Sequence, residues 1–192
     1  MLVTIKALIG ASVKSLQSGS EIAKITIPLI DPRNLKIMAF YLEGKLIKFT
    51  PAILIPDDIR EVGPLGVIID DINKIVSPDD VVRLEGIISF DFILNGITVI
   101  DEKKHKLGTV EYYTFDPETY FVQQLYVKPG ILKVMKVTNL IINRSQIVDI
   151  DNKKITVKMA ADKAGEVYSK VANTPNPNGF VNPFRIPENT DD

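Results

Sequence analysis

The apolar residues of this chain recur in short runs interrupted by polar positions, a pattern typical of half-buried β-strands. The clearest case runs from Leu107 to Phe115, continues through Asp116-Pro117, and leads into a second apolar-rich run that ends at Lys128. Aspartate can hydrogen-bond its own backbone two residues on, and proline presets φ for a turn. The pattern therefore predicts a β-hairpin with strands at about 107–115 and 120–128.

The chain contains this hairpin pattern twice. Asp31-Pro32 corresponds to Asp116-Pro117, an offset of 85 residues, and after the next turn the offset becomes 88, so that Ile59 corresponds to Ile147. Each copy offers five or six short strands. Closing each sheet on itself would remove its exposed edges. We therefore predict an all-β protein made of two small tandem barrels.

The repeat also predicts the domain organisation. One barrel is expected in residues 1–76 and the second in residues 92–160. Between them, residues 77–91 are predicted to form a helical linker, because Ser77 is a favoured N-cap and Pro78 suits the first helical position. Residues 161–192 are rich in Asn and Pro and lack an apolar period, which predicts a disordered tail.

Composition narrows the class of protein. Hydrophobic residues make up 45% of the chain and charged residues 24%, as in ordinary globular proteins. The absence of Cys excludes disulfides and thiolate metal sites. No run approaches the roughly 18 apolar residues that a membrane-spanning helix needs, and the amino terminus lacks the pattern of a signal peptide. We therefore expect a cytoplasmic protein without a membrane span.

Catalytic constellations are missing from the sequence. His105 is the only histidine and lies in a polar turn. The acidic pairs Asp57-Asp58, Asp70-Asp71 and Asp79-Asp80 fall in predicted turns or at a predicted helix start, and neighbouring residues of an extended chain point to opposite faces. No nucleophile elbow, phosphate-binding loop or dinucleotide fingerprint is present. We expect no enzymatic activity, no metal site and no cofactor.

One group of residues is a candidate interaction surface. Residues 92–160 carry ten Lys or Arg against seven Asp or Glu, and this basic segment also contains tyrosines. Nucleic-acid-binding modules combine basic and aromatic side chains in this way. The alternative is a solvated face whose charged strand edges discourage aggregation. The candidate residues are Lys103, Lys104, Lys106, Tyr112, Tyr113, Tyr120, Lys133 and Lys136.

Four short motifs recur in the same order in the two copies. In the second copy they read Gly96-Ile-Thr-Val99, Leu107-Gly-Thr-Val110, Asp116-Pro117, and Ser145-Gln-Ile147 with Ile150. In the first copy they read Gly10-Ala-Ser-Val13, Glu21-Ile-Ala-Lys-Ile25, Asp31-Pro32, and Asp58-Ile59 with Val62, and Ala23 replaces the glycine of the second motif. Through these motifs each copy resembles a PRC-barrel, the small β-barrel shared by the photosynthetic reaction-centre H subunit and a ribosome maturation factor.

The resemblance implies binding or scaffolding and supplies no catalytic residue. We therefore expect a non-enzymatic adaptor that binds a protein partner through exposed barrel faces. The alternative is an RNA- or ribosome-associated assembly factor, by analogy with the maturation factor. The isoelectric point near 5.9 favours the adaptor, because dedicated RNA-binding domains usually have values above about 9.

Overall fold

The structure, a computed structural model, describes residues 1–129 and 140–159. It is mainly β, which confirms the all-β part of the predicted fold class. The strands are β1 Val3–Thr4, β2 Ser12–Ser15, β3 Glu21–Asp31, β4 Lys36–Glu43, β5 Ala52–Leu54, β6 Ile59–Gly63, β7 Gly66–Ile69, β8 Ile75–Val76, β9 Thr98–Asp101, β10 Lys106–Phe115, β11 Val122–Lys128, β12 Leu140–Asn143, β13 Ile147–Ile150 and β14 Lys154–Val157. The α-helices are single turns, α1 Ile5–Leu8 and α2 Glu85–Ile88.

The described strands form two seven-stranded sheets. The first has the order β6-β7-β2-β3-β4-β5-β8, and the second has the order β12-β11-β10-β9-β14-β13 with β1 added to β10. Most neighbours are antiparallel, but β2 with β7 and β9 with β14 are parallel pairs. Among the described strands no ladder joins the two ends of either sheet, so β6, β8, β12 and β13 are edge strands.

The beginning of the chain lies in the second sheet, although it belongs to residues 1–76, in which the first barrel was expected. Val3 pairs with Phe115 and Thr4 with Thr114. The following helix α1 buries Ile5 and Leu8. The amino terminus therefore links the two repeats, which the sequence pattern did not predict. Residues 1–129 and 140–158 belong to one compact unit.

Both predicted hairpins are present, and their strands pair in the same register. Ile25 of β3 pairs with Leu42 of β4, and Val110 of β10 pairs with Val127 of β11. The members of the second pair lie 85 residues after those of the first. The period-two alternation specified this register, because a slip of one residue would turn every buried side chain outward.

The Asp-Pro turn closes both hairpins in the same way. Asp31 Oδ1 accepts a hydrogen bond from the backbone N–H of Arg33 at 3.0 Å, and Asp116 Oδ1 accepts one from Glu118 at 3.0 Å. These are the local side-chain bonds that make aspartate a turn residue. They also lower the pKa of Asp116, since the backbone N–H of Glu118 and the hydroxyl of Thr119 stabilise its charged form.

The two hairpin turns bind each other. The N–H of Ile37 donates to the carbonyl of Tyr120 at 2.9 Å, and the N–H of Val122 donates to the carbonyl of Leu35 at 3.0 Å. The acceptor and donor of the first turn, Leu35 and Ile37, correspond at the offset of 85 to the acceptor and donor of the second turn, Tyr120 and Val122. Leu35 and Tyr120 also share a left-handed backbone, with φ of 54° and 60°. A local two-fold axis therefore relates the two turns.

The linker differs from the single helix predicted for it. Pro78–Asp80 and Val82–Leu84 are 3-10 turns, and only Glu85–Ile88 is α-helical. Val81 separates the two 3-10 turns with φ −120° and ψ 85°. The predicted start at Ser77 is correct, because it forms a capping box with the third residue of the turn.

Packing explains the irregular linker. So short a helical run is marginal alone, and burial of its apolar side chains decides its path. Leu84 and Ile87 are buried against residues of the first sheet, namely Leu29, Ala39 and Ile53. The linker therefore follows the surface of that sheet instead of continuing one helix.

Some predictions fall outside what the structure describes. The predicted tail, residues 161–192, lies outside the described residues, as do the candidate residues Lys133 and Lys136. Within residues 1–129 and 140–159, no helix is both long and apolar enough to cross a membrane.

Asp31 should make the stability of the protein sensitive to acid. Its side chain is 5% exposed and accepts bonds of 2.8 and 2.7 Å from Arg33. These bonds lower the pKa of Asp31, although burial opposes them. A carboxyl group whose pKa is lower in the folded than in the unfolded state stabilises the folded protein at pH values above its unfolded pKa, which is about 3.9. This stabilisation is lost as the pH falls through the folded pKa. The free energy of unfolding should therefore decline below about pH 4.

Urea denaturation between pH 7 and pH 2 measures this effect. The Asp31→Asn variant should be less stable at pH 7 and should lose less stability than the wild type below pH 4. The exposed Asp79→Asn variant serves as the control and should follow the wild-type profile. Parallel profiles for wild type and Asp31→Asn would contradict the assignment.

Candidate functional site

Three lysines of the predicted surface lie at the turn between β9 and β10, with Lys103 and Lys104 in the turn and Lys106 at the start of β10. Lys103, Lys104 and Lys106 are all exposed. The buried Asp101 shapes this turn, because its Oδ1 accepts the N–H of His105 at 2.8 Å and its Oδ2 lies 3.0 Å from the ring Nδ1 of that histidine. The turn therefore presents three cations at a fixed place on the second sheet.

Two of the predicted tyrosines are core residues, which corrects their assignment to a surface. Tyr113 is 1% exposed and Tyr120 is 8% exposed. Burial raises the pKa of Tyr113, and burial together with the negative charge of Asp57 raises the pKa of Tyr120 to about 12. The Tyr120 ring lies 6.3 Å from Phe40 and 5.9 Å from Phe115 between ring centres. Tyr120 thus connects the aromatic cores of the two repeats.

Tyr112 is half-buried, and both faces of its ring are in use. The Tyr126 ring stacks on it with centres 4.3 Å apart and planes 14° apart. The Nζ of Lys6 lies 3.8 Å from the centre of the same ring. A cation and a stacked ring at these distances must occupy opposite faces. A nucleic-acid base could therefore stack on Tyr112 only by displacing one of them.

Two clefts lie where the hairpin turn of one repeat approaches an edge strand of the other. The first cleft has a volume of about 510 Å³ and lies between β6 and the turn of the second hairpin. It is lined by Lys36, Pro56, Asp57, Ile59, Arg60, Glu61, Val62, Pro117, Glu118, Thr119, Tyr120 and Phe121. The second cleft has a volume of about 310 Å³ and lies between β13 and the turn of the first hairpin. It is lined by Pro32, Arg33, Asn34, Leu35, Arg144, Ile147, Val148, Asp149 and Ile150.

The two clefts are built from equivalent residues. The turn residues 32–35 of the second cleft correspond to 117–120 of the first at an offset of 85, and the strand residues 147–150 correspond to 59–62 at an offset of 88. The local two-fold axis between the turns therefore extends to the clefts. The sequence repeat predicted the elements, but no feature of it predicted that they would meet across the repeats.

The second cleft holds an arginine of the protein itself. Arg144 donates from Nη2 to the carbonyl of Asn34 at 2.7 Å and from Nη1 to the carbonyl of Val122 at 3.2 Å. Its guanidinium carbon lies 4.8 Å from the centre of the Phe121 ring. This combination of two carbonyl acceptors and an aromatic face matches the planar donor geometry of arginine. Pro56 takes the equivalent place, 88 residues earlier, in the first cleft.

Within residues 1–129 and 140–159, no three or more His, Asp or Glu side chains are grouped in a way that could hold a metal ion.

Comparisons with known proteins complete the description. No protein-family model matches the chain, and no curated protein is similar to it. Among solved structures, the chain is similar to a protein described as a 16S ribosomal RNA processing protein, RimM, from Pseudomonas aeruginosa, at 15% identity and a TM-score of 0.29. The match covers 84% of this chain and 99% of that chain. At this TM-score the likeness carries no argument about fold or function.

Proposed function

We propose that this protein is a non-enzymatic adaptor of the cytoplasm that binds a protein partner through the two clefts. The observation that carries the proposal is that each cleft has an edge strand, β6 or β13, as one wall. The outer side of an edge strand presents N–H and C=O groups that an extended segment can pair with. Peptide-binding domains use this geometry for strand addition, and neighbouring side-chain pockets supply the specificity.

The side chains along the clefts support the same function. Val148 on β13 is 58% exposed, and Ile59 and Val62 on β6 are partly exposed. Apolar side chains on an edge strand invite contact with another chain unless a partner covers them. A partner segment lying along either edge strand would bury these side chains.

The proposal includes the architecture of the two repeats. We assign both to the PRC-barrel type, as a tandem pair. Support comes from the four shared motifs, from the equivalent hairpins, and from the parallel pairing of β2 with β7 and of β9 with β14. Disulfide trapping tests the assignment. Cysteines placed on β6 and β8 should cross-link, since closed barrels require contacts between the two ends of each sheet.

Capture of partners by the full chain tests the adaptor function. The immobilised protein is incubated with nuclease-treated lysate, and the captured proteins are compared among variants. Val62→Lys and Val148→Lys add a charge to one cleft each, and one or both should release the specific partner. Val82→Lys makes the same change at an exposed site outside both clefts and should retain it. Equal capture by all variants would contradict the proposal.

A second candidate function is association with RNA or the ribosome. It is favoured by the exposed Lys103, Lys104 and Lys106 of the β9–β10 turn. A labelled RNA titrated at rising salt tests it, because each lost phosphate contact lowers the slope of log affinity against log salt by about 0.7–0.9. A shallower slope after replacing the three lysines by Gln would support this candidate. Absence of RNA binding at low salt, where attraction is strongest, would remove it.

A further inference from the structure

We propose that the first cleft binds an arginine side chain carried by an extended segment of the partner protein. This inference rests on the adaptor function proposed above and names the chemistry that the partner must present. The local two-fold symmetry supplies the reasoning, because the second cleft shows that a carbonyl of the hairpin turn, that of Asn34, binds arginine. There Arg144 binds the carbonyls of Asn34 and Val122 and lies over Phe121. The aromatic contact is not repeated, since at the offset of 85 Lys36 stands in the first cleft where the second has Phe121.

The first cleft lacks an arginine of its own at the equivalent position. Pro56 begins the 3-10 turn Pro56–Asp58, just as Arg144 begins the turn Arg144–Gln146. Proline has no side-chain donor and does not reach across the cleft. The first cleft is correspondingly larger, at about 510 Å³ against about 310 Å³. It therefore has room for a side chain from outside.

The acceptors in the first cleft suit a guanidinium group. The carbonyl of Thr119 is equivalent to that of Asn34, which binds Arg144 in the second cleft. Within residues 1–129 and 140–159, no hydrogen bond to the Thr119 carbonyl is formed. In the same part of the chain, the carboxylates of Glu61 and Glu118 make no ion pair.

The remaining charges of the first cleft leave it favourable to a cation. Arg60 is bound to Asp70, which lies outside the cleft. Asp57 is bound to Arg83 at 2.9 Å, also outside it. With these pairs set aside, the two glutamates face a single lysine, Lys36, whose Nζ lies 5.6 Å from the centre of the Phe121 ring. A second cation is therefore attracted, and a planar guanidinium can bind carbonyl and carboxylate together.

The edge strand β6 determines the conformation of the partner segment that carries the arginine. A segment that carries the arginine can run alongside β6 and pair with its outer backbone groups. Alternate side chains of such a segment point to one side, so its arginine can enter the cleft while its backbone stays on the edge. We therefore expect the partner to present an extended stretch with one arginine among β-forming residues.

A synthetic peptide tests this recognition directly. The probe is fluorescein-labelled Val-Thr-Val-Arg-Val-Thr, titrated with the full chain and followed by fluorescence anisotropy. Its binding should be saturable, and replacing Arg by Gln should weaken it about tenfold or more, because a hydrogen bond to a charged group is lost. Replacing Arg by Lys should give an intermediate loss, since Lys is a point charge without the planar fork.

Filling the first cleft with a side chain of the protein itself should weaken the binding. The Pro56→Arg variant places an arginine where the second cleft has Arg144, and it should bind the peptide at least about tenfold more weakly. Pro56→Ala removes the proline without filling the cleft and is the matched control, which should bind like the wild type. If circular dichroism shows that Pro56→Arg is unfolded, Glu118→Lys takes its place, and it should weaken binding by charge repulsion.

The outcomes separate this inference from the adaptor function. Absence of saturable binding, equal binding of the Gln peptide, or unchanged binding by the folded Pro56→Arg variant would each overturn the inference. If partner capture still depended on Val62 or Val148, the adaptor function would stand without it. If capture were independent of both clefts, the adaptor function would fail. The peptide titrations alone would then decide whether the first cleft binds arginine.

Discussion

Replacing Tyr120 by alanine should lower the free energy of unfolding by about 3–5 kcal/mol, the usual cost of removing a large buried aromatic side chain. The ring is almost fully buried and lies between Phe40 of the first repeat and Phe115 of the second. Aromatic pairs at such distances add to the energy of simple burial. The variant should therefore weaken both the core of the second repeat and its contact with the first.

Urea denaturation followed by far-ultraviolet circular dichroism gives the free energy of unfolding by linear extrapolation. Tyr120→Phe is the matched control, because it keeps the ring and should cost less than about 1.5 kcal/mol. A loss below about 1 kcal/mol for Tyr120→Ala would show that the ring does not hold the two repeats together.

Replacing Gly108 by alanine should destabilise the protein by about 3 kcal/mol, the upper part of the range for overpacking. A Cβ at this position would lie 2.9 Å from the Val127 side chain and 2.1 Å from the carbonyl oxygen of Lys128. The second contact is with backbone, so rotation of a side chain cannot relieve it. The paired strands β10 and β11 would have to move apart.

Gly86→Ala is the control for this substitution. A Cβ at Gly86 meets no atom within 4 Å, and the residue lies in helix α2. Alanine is favoured over glycine in helices and restricts the unfolded chain, so this variant should gain about 0.5–1 kcal/mol. Equal melting temperatures for the two variants would contradict the close approach at Gly108.

The close approach of the chains at Gly108 also explains how the first repeat can depart from the Leu-Gly-Thr-Val motif of the second. Ala23 stands where the second repeat has Gly108. In the first repeat the neighbouring chain presents Gly44, and a Cβ there would lie 2.9 Å from the Cα and 3.1 Å from the Cβ of Ala23. In the first repeat the glycine therefore lies on the other side of the pair, directly after β4. Sequence alone showed the substitution, and only the packing showed what accommodates it.

The local elements of the fold could be predicted because local chemistry specifies them. The alternating pattern predicted both hairpins, and the Asp-Pro pairs predicted the turns that Asp31 and Asp116 close. The capping residue Ser77 was also found from sequence. The predicted extent of the linker helix was wrong. Burial of Leu84 and Ile87 on the first sheet outweighs helix propensity in so short a segment.

The candidate site could be predicted only in part. Period-two alternation separates Tyr112 from Tyr113 onto opposite faces of β10 but does not say which face becomes covered. The structure buries Tyr113 and leaves Tyr112 between Lys6 and Tyr126. Lys6 comes from the beginning of the chain, which reaches β10 because the strand β1 pairs with it. With two residues, β1 is too short to produce a periodic signal in the sequence.

By itself, the sequence determined the β-class, the hairpins and their turns, because these depend on residues close together in the chain. The tertiary structure alone decided that the turns of the two repeats bind each other through Ile37, Tyr120, Leu35 and Val122. It also decided that two clefts form beside β6 and β13. These features join residues about 60 to 115 positions apart, and packing brings them together only after each hairpin has formed, so no local pattern records them.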